Sequence, residues 1–201
     1  MRIATTGLTG VFLAALAIPG VNAQTNTVDQ TGKMPVEAKF QAGGQIRMTL
    51  CSSGAHIVAK DTDLLRVTYN APHGSSEDVR VQIGVSGENA RIRVTGCPHN
   101  NFELTIEIPK SSNLHVRMFA GQLDMDEISG DKDVEMHAGE LNMNIGKPED
   151  YRHVDASVLT GEVDAPAFNV SKGGLFRSFD QNGPGKYRLH AHVGAGQLDL
   201  R

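Results

Sequence analysis

The sequence has no tryptophan, and its 201 residues include only three tyrosines and seven phenylalanines. A core this short of aromatic side chains must be built from Val, Ile, Leu and Met, which favours a narrow and regular interior. The same shortage argues against a sugar-binding enzyme cleft, because such clefts use aromatic rings as stacking platforms. Helical periodicity is also missing after residue 40, which leaves β structure as the predicted fold class.

Basic runs are absent as well. The formal net charge is −4, and it becomes −5 without residues 1–23, which contain one arginine and no acid. A mildly acidic chain has no electrostatic reason to bind nucleic acid. We therefore expect no nucleic-acid partner.

A single apolar run, Leu8–Ile18, lies near the start of the chain. One positive charge precedes the run. Pro19-Gly20 and Val21-Asn22-Ala23 follow it, and the last three residues match a small-residue cleavage site. These are the three parts of a secretory signal, so we predict a signal peptide over residues 1–23. A membrane anchor is the alternative, but the run is shorter than the roughly 20 residues of a span. We expect a periplasmic, secreted or cell-surface protein with no transmembrane span after cleavage, and a flexible leader over residues 24–39.

Motifs for common chemistries are missing too. The sequence has no Gly-x-Ser-x-Gly, no phosphate-binding loop and no dinucleotide fingerprint. Its eight histidines are scattered without zinc-ligand spacing. We predict no catalytic residue, no cofactor-binding residue, no metal ligand and no cofactor, and hence a protein that is not an enzyme.

Alternating apolar and polar residues begin at Phe40 and continue through the chain. Residues 45–50 and 102–108 are clear examples, with Ile46, Met48 and Leu50 on one side of the first segment. This period of two is typical of half-buried strands.

The second half of the chain repeats itself. Four segments, 114–125, 133–143, 154–165 and 189–200, align on a glycine, and these glycines are Gly121, Gly139, Gly161 and Gly196. Apolar residues keep one parity before and after each glycine, so each copy is predicted to be a strand, a bend and a second strand. The glycines are 18, 22 and 35 residues apart.

Stacked copies would share one interior, which predicts an all-β single-domain β-solenoid over residues 40–201. Gly121, Gly139 and Gly161 should then lie in register on successive rungs, with a degenerate rung and a turn in the longest gap. An antiparallel β-sandwich of the same short strands is the alternative.

Outward positions line up in the same alignment. Asp124, Asn142 and Asp164 would form a ladder that either binds a cation such as Ca²⁺ or is simply a solvated polar row. Stacking of the first two copies would place Arg117 beside Glu135 and His115 beside Asp133, where opposite charges support the register.

The two cysteines, Cys51 and Cys97, share the outward parity of their strands. Two cysteines in an exported protein usually form one disulfide, and two buried thiols are the alternative.

Several short motifs carry a family resemblance. They are Gly-Gly-Gln-Ile at 43–46, Ile-Pro at 108–109, the recurring Ala/Thr-Gly-Gln/Glu-Leu/Val-Asp/Asn units and Gly-Pro-Gly-Lys-Tyr-Arg-Leu at 183–189. With these motifs, the chain from Phe40 to Arg201 resembles the bacterial "putative adhesin" domains of unknown function, which are exported or envelope-attached β-solenoids.

The resemblance implies a non-enzymatic envelope protein that binds or scaffolds an unidentified envelope or surface ligand, either protein or polysaccharide. The alternatives are a carbohydrate-active β-helix enzyme and an envelope-stress sensor domain. The family supplies no catalytic residues that could be carried over to this chain.

Overall fold

The computed structural model describes residues 25–31, 34–71 and 77–201, so the predicted signal peptide lies outside the described residues. The described part is built from strands and two 3₁₀ turns, Pro148–Asp150 and Pro166–Phe168. The strands are β1 (Thr25–Thr31), β2 (Val36–Lys39), β3 (Gln45–Leu50), β4 (Gly54–Lys60), β5 (Leu64–Asn70), β6 (Arg80–Ser86), β7 (Asn89–Thr95), β8 (Glu103–Pro109), β9 (Asn113–Met125), β10 (Lys132–Met143), β11 (Tyr151–Ala165), β12 (Val170–Asn182) and β13 (Tyr187–Leu200). The all-β prediction is confirmed.

Alternation produces these strands as the sequence predicts. In β7, every second residue is buried, and the residues between them are exposed. The buried positions along the chain form one apolar cluster made mostly of Val, Ile, Leu and Met. The outward positions carry most of the charge, so each strand presents one dry face and one wet face.

Parallel pairing holds the repeats together. The four strands that carry the repeats lie in the order β9, β10, β13 and β11, with their glycines in one row: Gly121, Gly139, Gly196 and Gly161. Two broken copies extend the stack beyond β9. Strands β3 and β4 pair with the first and second parts of β9, and β7 and β8 pair with β3 and β4.

The order of the stack differs from the prediction, because Gly196 rather than Gly161 lies beside Gly139. The longest gap holds the predicted turn and an extra rung, but this rung is antiparallel. A tight turn at Pro166–Asn169 reverses the chain, so that β12 pairs with β11 and Gly174 lies opposite Gly161. A connection of four residues can form a hairpin but is too short for the crossover that a parallel strand needs. Strand β13 then returns to lie between β10 and β11.

Antiparallel strands close both ends of the stack. At one end, β6 and β1 continue from β7, while β5 and β2 continue from β8; at the other end, β12 covers β11. Parallel pairing in the middle is what the solenoid interpretation predicts, and antiparallel pairing at the ends is what the sandwich alternative predicts. Both pairings belong to one continuous sheet.

The flexible leader predicted over residues 24–39 is wrong where the structure describes it. Strand β1 pairs with β6, and strand β2 pairs with β5. The prediction was based on the polar composition of this segment. A strand at the edge of a sheet is held by main-chain hydrogen bonds and can keep many polar side chains in water. Threonine is also a good strand former, and β1 contains three.

The bend at each repeat depends on glycine. Gly139 has a φ of 121°, and a Cβ there would collide with the carbonyl oxygen of Gly121 on the next strand. Gly161 and Gly196 make the same close contact with their neighbours in the row. The glycines therefore allow both the corner and the contact between corners.

The two cysteines form a disulfide, with Cα atoms 5.7 Å apart. Cys51 follows β3 and Cys97 follows β7, so the bond joins the bends of two neighbouring broken copies. The row of Gly121, Gly139, Gly196 and Gly161 does not extend into these two copies, and the disulfide crosslinks their bends covalently.

One lysine lies inside the stack. Lys132 occupies the inward position that Leu114 and Leu189 occupy on the neighbouring strands, and it is 2% exposed. Its ammonium donates to the Tyr151 hydroxyl (2.8 Å) and to the carbonyl oxygen of Gly130 (3.1 Å). Burial lowers the pKa of Lys132 to about 8, although nearby carboxylates, Asp131 first, act to raise it.

We predict that Gly139→Ala lowers the free energy of unfolding by at least about 3 kcal/mol, because the new methyl group meets backbone at a left-handed φ. Gly84→Ala is the matched control. Gly84 faces outward, and a Cβ there would lie 3.8 Å from the Thr27 hydroxyl oxygen, which is ordinary contact. Chemical denaturation should show a change within about 1 kcal/mol for the control. Equal stability of the two variants would contradict the corner argument.

We predict that Lys132→Met removes a pH dependence of stability. The folded pKa of about 8 lies below the ordinary 10.5, so the unfolded chain binds more protons between these values. Between pH 7.5 and 10, the stability of the native sequence should therefore rise by about 2 kcal/mol relative to the methionine variant. Denaturation series at pH 7.5 and 10 measure the difference. Parallel curves for the two proteins would show that Lys132 does not titrate in this range.

Candidate functional site: the surfaces of the strand stack

The outward face of the first halves of the long strands carries a network of opposite charges, which we call the charged flank. Its members are His115 and Arg117 on β9, Asp133 and Glu135 on β10, His190 on β13 and Asp155 on β11. Each alternates with a buried residue of the core, so the backbone fixes where each side chain starts. The flank is therefore a rigid surface formed by adjacent strands.

Histidines and aspartates alternate across the flank. His115 Nδ1 lies 2.8 Å from Asp133 Oδ2, and His190 Nδ1 lies 3.1 Å from Asp155 Oδ2. Asp133 and His190 are themselves paired in register, so the order is His, Asp, His, Asp over four neighbouring strands. Protonation of either histidine would strengthen these contacts.

Arg117 is the centre of this network. Its guanidinium lies 3.2 Å from an Asp133 oxygen and 2.9 Å from a Glu135 oxygen. Partial burial acts to raise the pKa of Asp133, but the hydrogen bonds from Arg117 and His115 outweigh it, and the net pKa is lowered. The predicted pairs, Arg117 with Glu135 and His115 with Asp133, are confirmed.

The structure also brings together three groups that could ligate a metal. One ligand atom each from Asp133, Glu135 and His190 lies within 4.8 Å of the other two. However, Arg117 already contacts both carboxylates, and its guanidinium would repel a bound cation. The sequence alignment missed this set, because it could not place the fourth copy beside the second.

A second polar surface follows the glycine row. Gln122, Glu140, Gln197 and Glu162 come one residue after the glycines, and Asp124, Asn142, Asp199 and Asp164 come three after. The predicted ladder of Asp124, Asn142 and Asp164 is therefore interrupted by Asp199. The Asn142 amide donates to Asp124 (2.9 Å) and Glu140 (2.8 Å), so it links the acidic side chains. Asp199 is only 5% exposed and accepts from Arg201 (2.6 Å), so the row is not uniformly solvated.

Exposed apolar side chains lie beside the glycine row, and we call this surface the corner strip. Within the described part of the chain, all the large hydrophobic side chains that are exposed lie there: Phe119 (73%), Leu159 (46%), Leu175 (60%) and Phe176 (77%). Ala120, Ala138 and Ala195 lie beside the glycines on this corner. The Phe119 ring packs on His137, with ring centroids 5.1 Å apart. Sequence reasoning missed the strip, because two consecutive residues before each glycine face outward and break the alternation.

We predict that Arg117→Glu lowers the free energy of unfolding by about 1 kcal/mol in low salt, because it places a third carboxylate beside Asp133 and Glu135. Adding Glu135→Arg should recover part of the loss. Adding Glu149→Arg, outside the network, is the control and should not. A double-mutant cycle by thermal denaturation measures the coupling, which should shrink in 1 M salt. Purely additive effects would exclude a contribution of this pair to the register.

Comparisons with known proteins assign no family to this chain. No protein-family model matches the chain, and no curated protein matches it. A solved structure, described as a "putative cell adhesion protein" from Clostridium sporogenes, superposes with a TM-score of 0.48 at 15% sequence identity. The superposition covers 83% of this chain and 99% of that one. Among the described residues, no helix has the length and apolar character needed to cross a membrane.

Proposed function

We propose that this chain is an exported β-solenoid protein of the bacterial envelope, which binds or scaffolds an external ligand through the surface of its strand stack and catalyses no reaction. Export is supported by the signal-like segment Met1–Ala23 and by the disulfide. Disulfides persist in oxidising compartments such as the periplasm and the cell exterior. The resemblance of residues 40–201 to adhesin-like envelope domains agrees with this location.

The observation that carries the binding proposal is the corner strip. Phe119 and Phe176 are about three-quarters exposed, and they lie at opposite ends of a row that crosses the long strands. Contiguous exposed apolar surface in a folded protein commonly marks an interaction site. Between these ends the row continues through His137, Gly194 and Leu159, and it runs beside small glycines and alanines. An extended partner can therefore lie across several strands.

Expression of the full chain in a Gram-negative host tests the proposal. We expect a periplasmic chain that begins at Gln24 and has no free thiol when denatured without reductant. The purified chain should cosediment with cell envelopes, and Phe119→Ser with Phe176→Ser should reduce the bound fraction several-fold. Arg152→Ser, an exposed change away from the strip, is the matched control.

Two outcomes would contradict the proposal. Retention in the cytoplasm with free thiols would remove export, and undiminished sedimentation of the phenylalanine variant would remove the corner strip as the binding surface. Release of reducing sugar from envelope polysaccharide by the purified chain would instead favour the carbohydrate-active enzyme.

A further inference from the structure

A cluster of arginines lies on the same sheet as the charged flank, on strands β3 and β7. Arg47 pairs in register with Arg91, and Thr49 pairs in register with Arg93. All four side chains are exposed, and the residues between them, Met48 and Ile92, are buried. Neighbouring strands are about 4.8 Å apart and alternate residues about 6.6 Å apart. The backbone positions of the three arginines and the threonine therefore form one small rectangle, with all four side chains on the same face.

Two other strand arginines differ from these three in their contacts. Arg66 and Arg117 both reach carboxylates, whereas no described carboxylate lies within 4.0 Å of Arg47, Arg91 or Arg93 in an ion pair. Like charges directly opposite on neighbouring strands destabilise a sheet. His115, the other neighbour of Arg47, adds positive charge when protonated.

A shallow depression adjoins the arginines. It is lined by Thr27, Gln82, Gly84, Arg91 and Arg93. Gly84 lies directly opposite Arg91, and its missing side chain opens the space beside that guanidinium. An oxyanion seated here can accept hydrogen bonds from Arg91 and Arg93, and the arginine fork matches carboxylate, sulfate and phosphate oxygens.

We infer that Arg47, Arg91 and Arg93 form a binding site for the anionic groups of an acidic polysaccharide, an inference that rests on the proposed envelope-binding function and names its ligand class. The bound anion offsets the repulsion between Arg47 and Arg91. The charge on the rest of this sheet face favours a thin polymer over a membrane as the ligand. A flat anionic bilayer over the arginines would also meet the acidic end of the face, where Asp155 lies opposite Asp180.

A binding assay with defined polyanions tests the site. The probes are polygalacturonate, dextran sulfate and a polyphosphate, whose carboxylate, sulfate and phosphate groups separate the possible anions, with neutral dextran as the blank. We expect the full chain to bind at least one polyanion, with affinity that falls as salt rises. Arg91→Gln with Arg93→Gln should weaken binding about tenfold or more, as expected for losing charge-assisted hydrogen bonds.

Matched controls separate this site from total charge and from the proposed function. Lys147→Gln with Arg152→Gln removes two positive charges at the far side of the stack and should leave the affinity within about twofold. Melting temperature verifies folding, and the arginine variant should melt no lower than the native sequence, since it relieves like-charge repulsion. The phenylalanine variant of the corner strip should still bind the polyanion.

Three results would overturn the inference: no binding to any polyanion, equal weakening by the arginine variant and its charge-matched control, or phosphatidylglycerol vesicles binding as tightly as the polysaccharides. If the chain binds no polyanion but still cosediments with envelopes, the arginine site is excluded and the corner strip remains the proposed binding surface. Loss of envelope binding in the phenylalanine variant alone is therefore a separate result.

Discussion

The close approach of backbone at the glycine corner is the constraint on which the rest of the structure depends. Gly139 lies so near the carbonyl oxygen of Gly121 that a single methyl group would not fit between them. Strands that turn a corner together must keep ladder spacing on both sides of it. Because only glycine allows both the φ and the contact, the corner fixes the register of four long strands at once.

That register decides the chemistry of the surfaces. When glycines lie in one row, every position counted from them also lies in a row, and side chains from different repeats meet at strand spacing. Opposite charges meet on the charged flank, as Arg117 and Glu135 do, while Arg47 and Arg91 meet as like charges. The sheet is stabilised by its core, so the outward rows can hold either combination at a cost of about 1 kcal/mol or less per pair.

The interior is less tolerant than the surface, because a buried polar group must have hydrogen-bond partners. Lys132 occupies a position that is leucine on the neighbouring strands, and Tyr151 supplies the partner that it needs. The Tyr151 hydroxyl accepts a hydrogen bond from Lys132 and donates one to the carbonyl of Ile145. Burial also raises the pKa of the Tyr151 hydroxyl, so it stays a neutral donor. The pair joins the start of β10 to the start of β11, although these strands are separated in the sheet by β13.

The sequence by itself determined the strands, their buried faces and the alignment of the repeats on glycine, because alternation and the need for a positive φ are local properties of the chain. It also determined the Arg117–Glu135 contact, since β9 and β10 are consecutive and neighbouring. Only the tertiary structure decided the order of the stack, the set of Asp133, Glu135 and His190, the pairing of β1 and β2 with the sheet, and the corner strip. Each of these depends on which strand edge a distant segment pairs with, and backbone edges offer the same hydrogen bonds to every candidate.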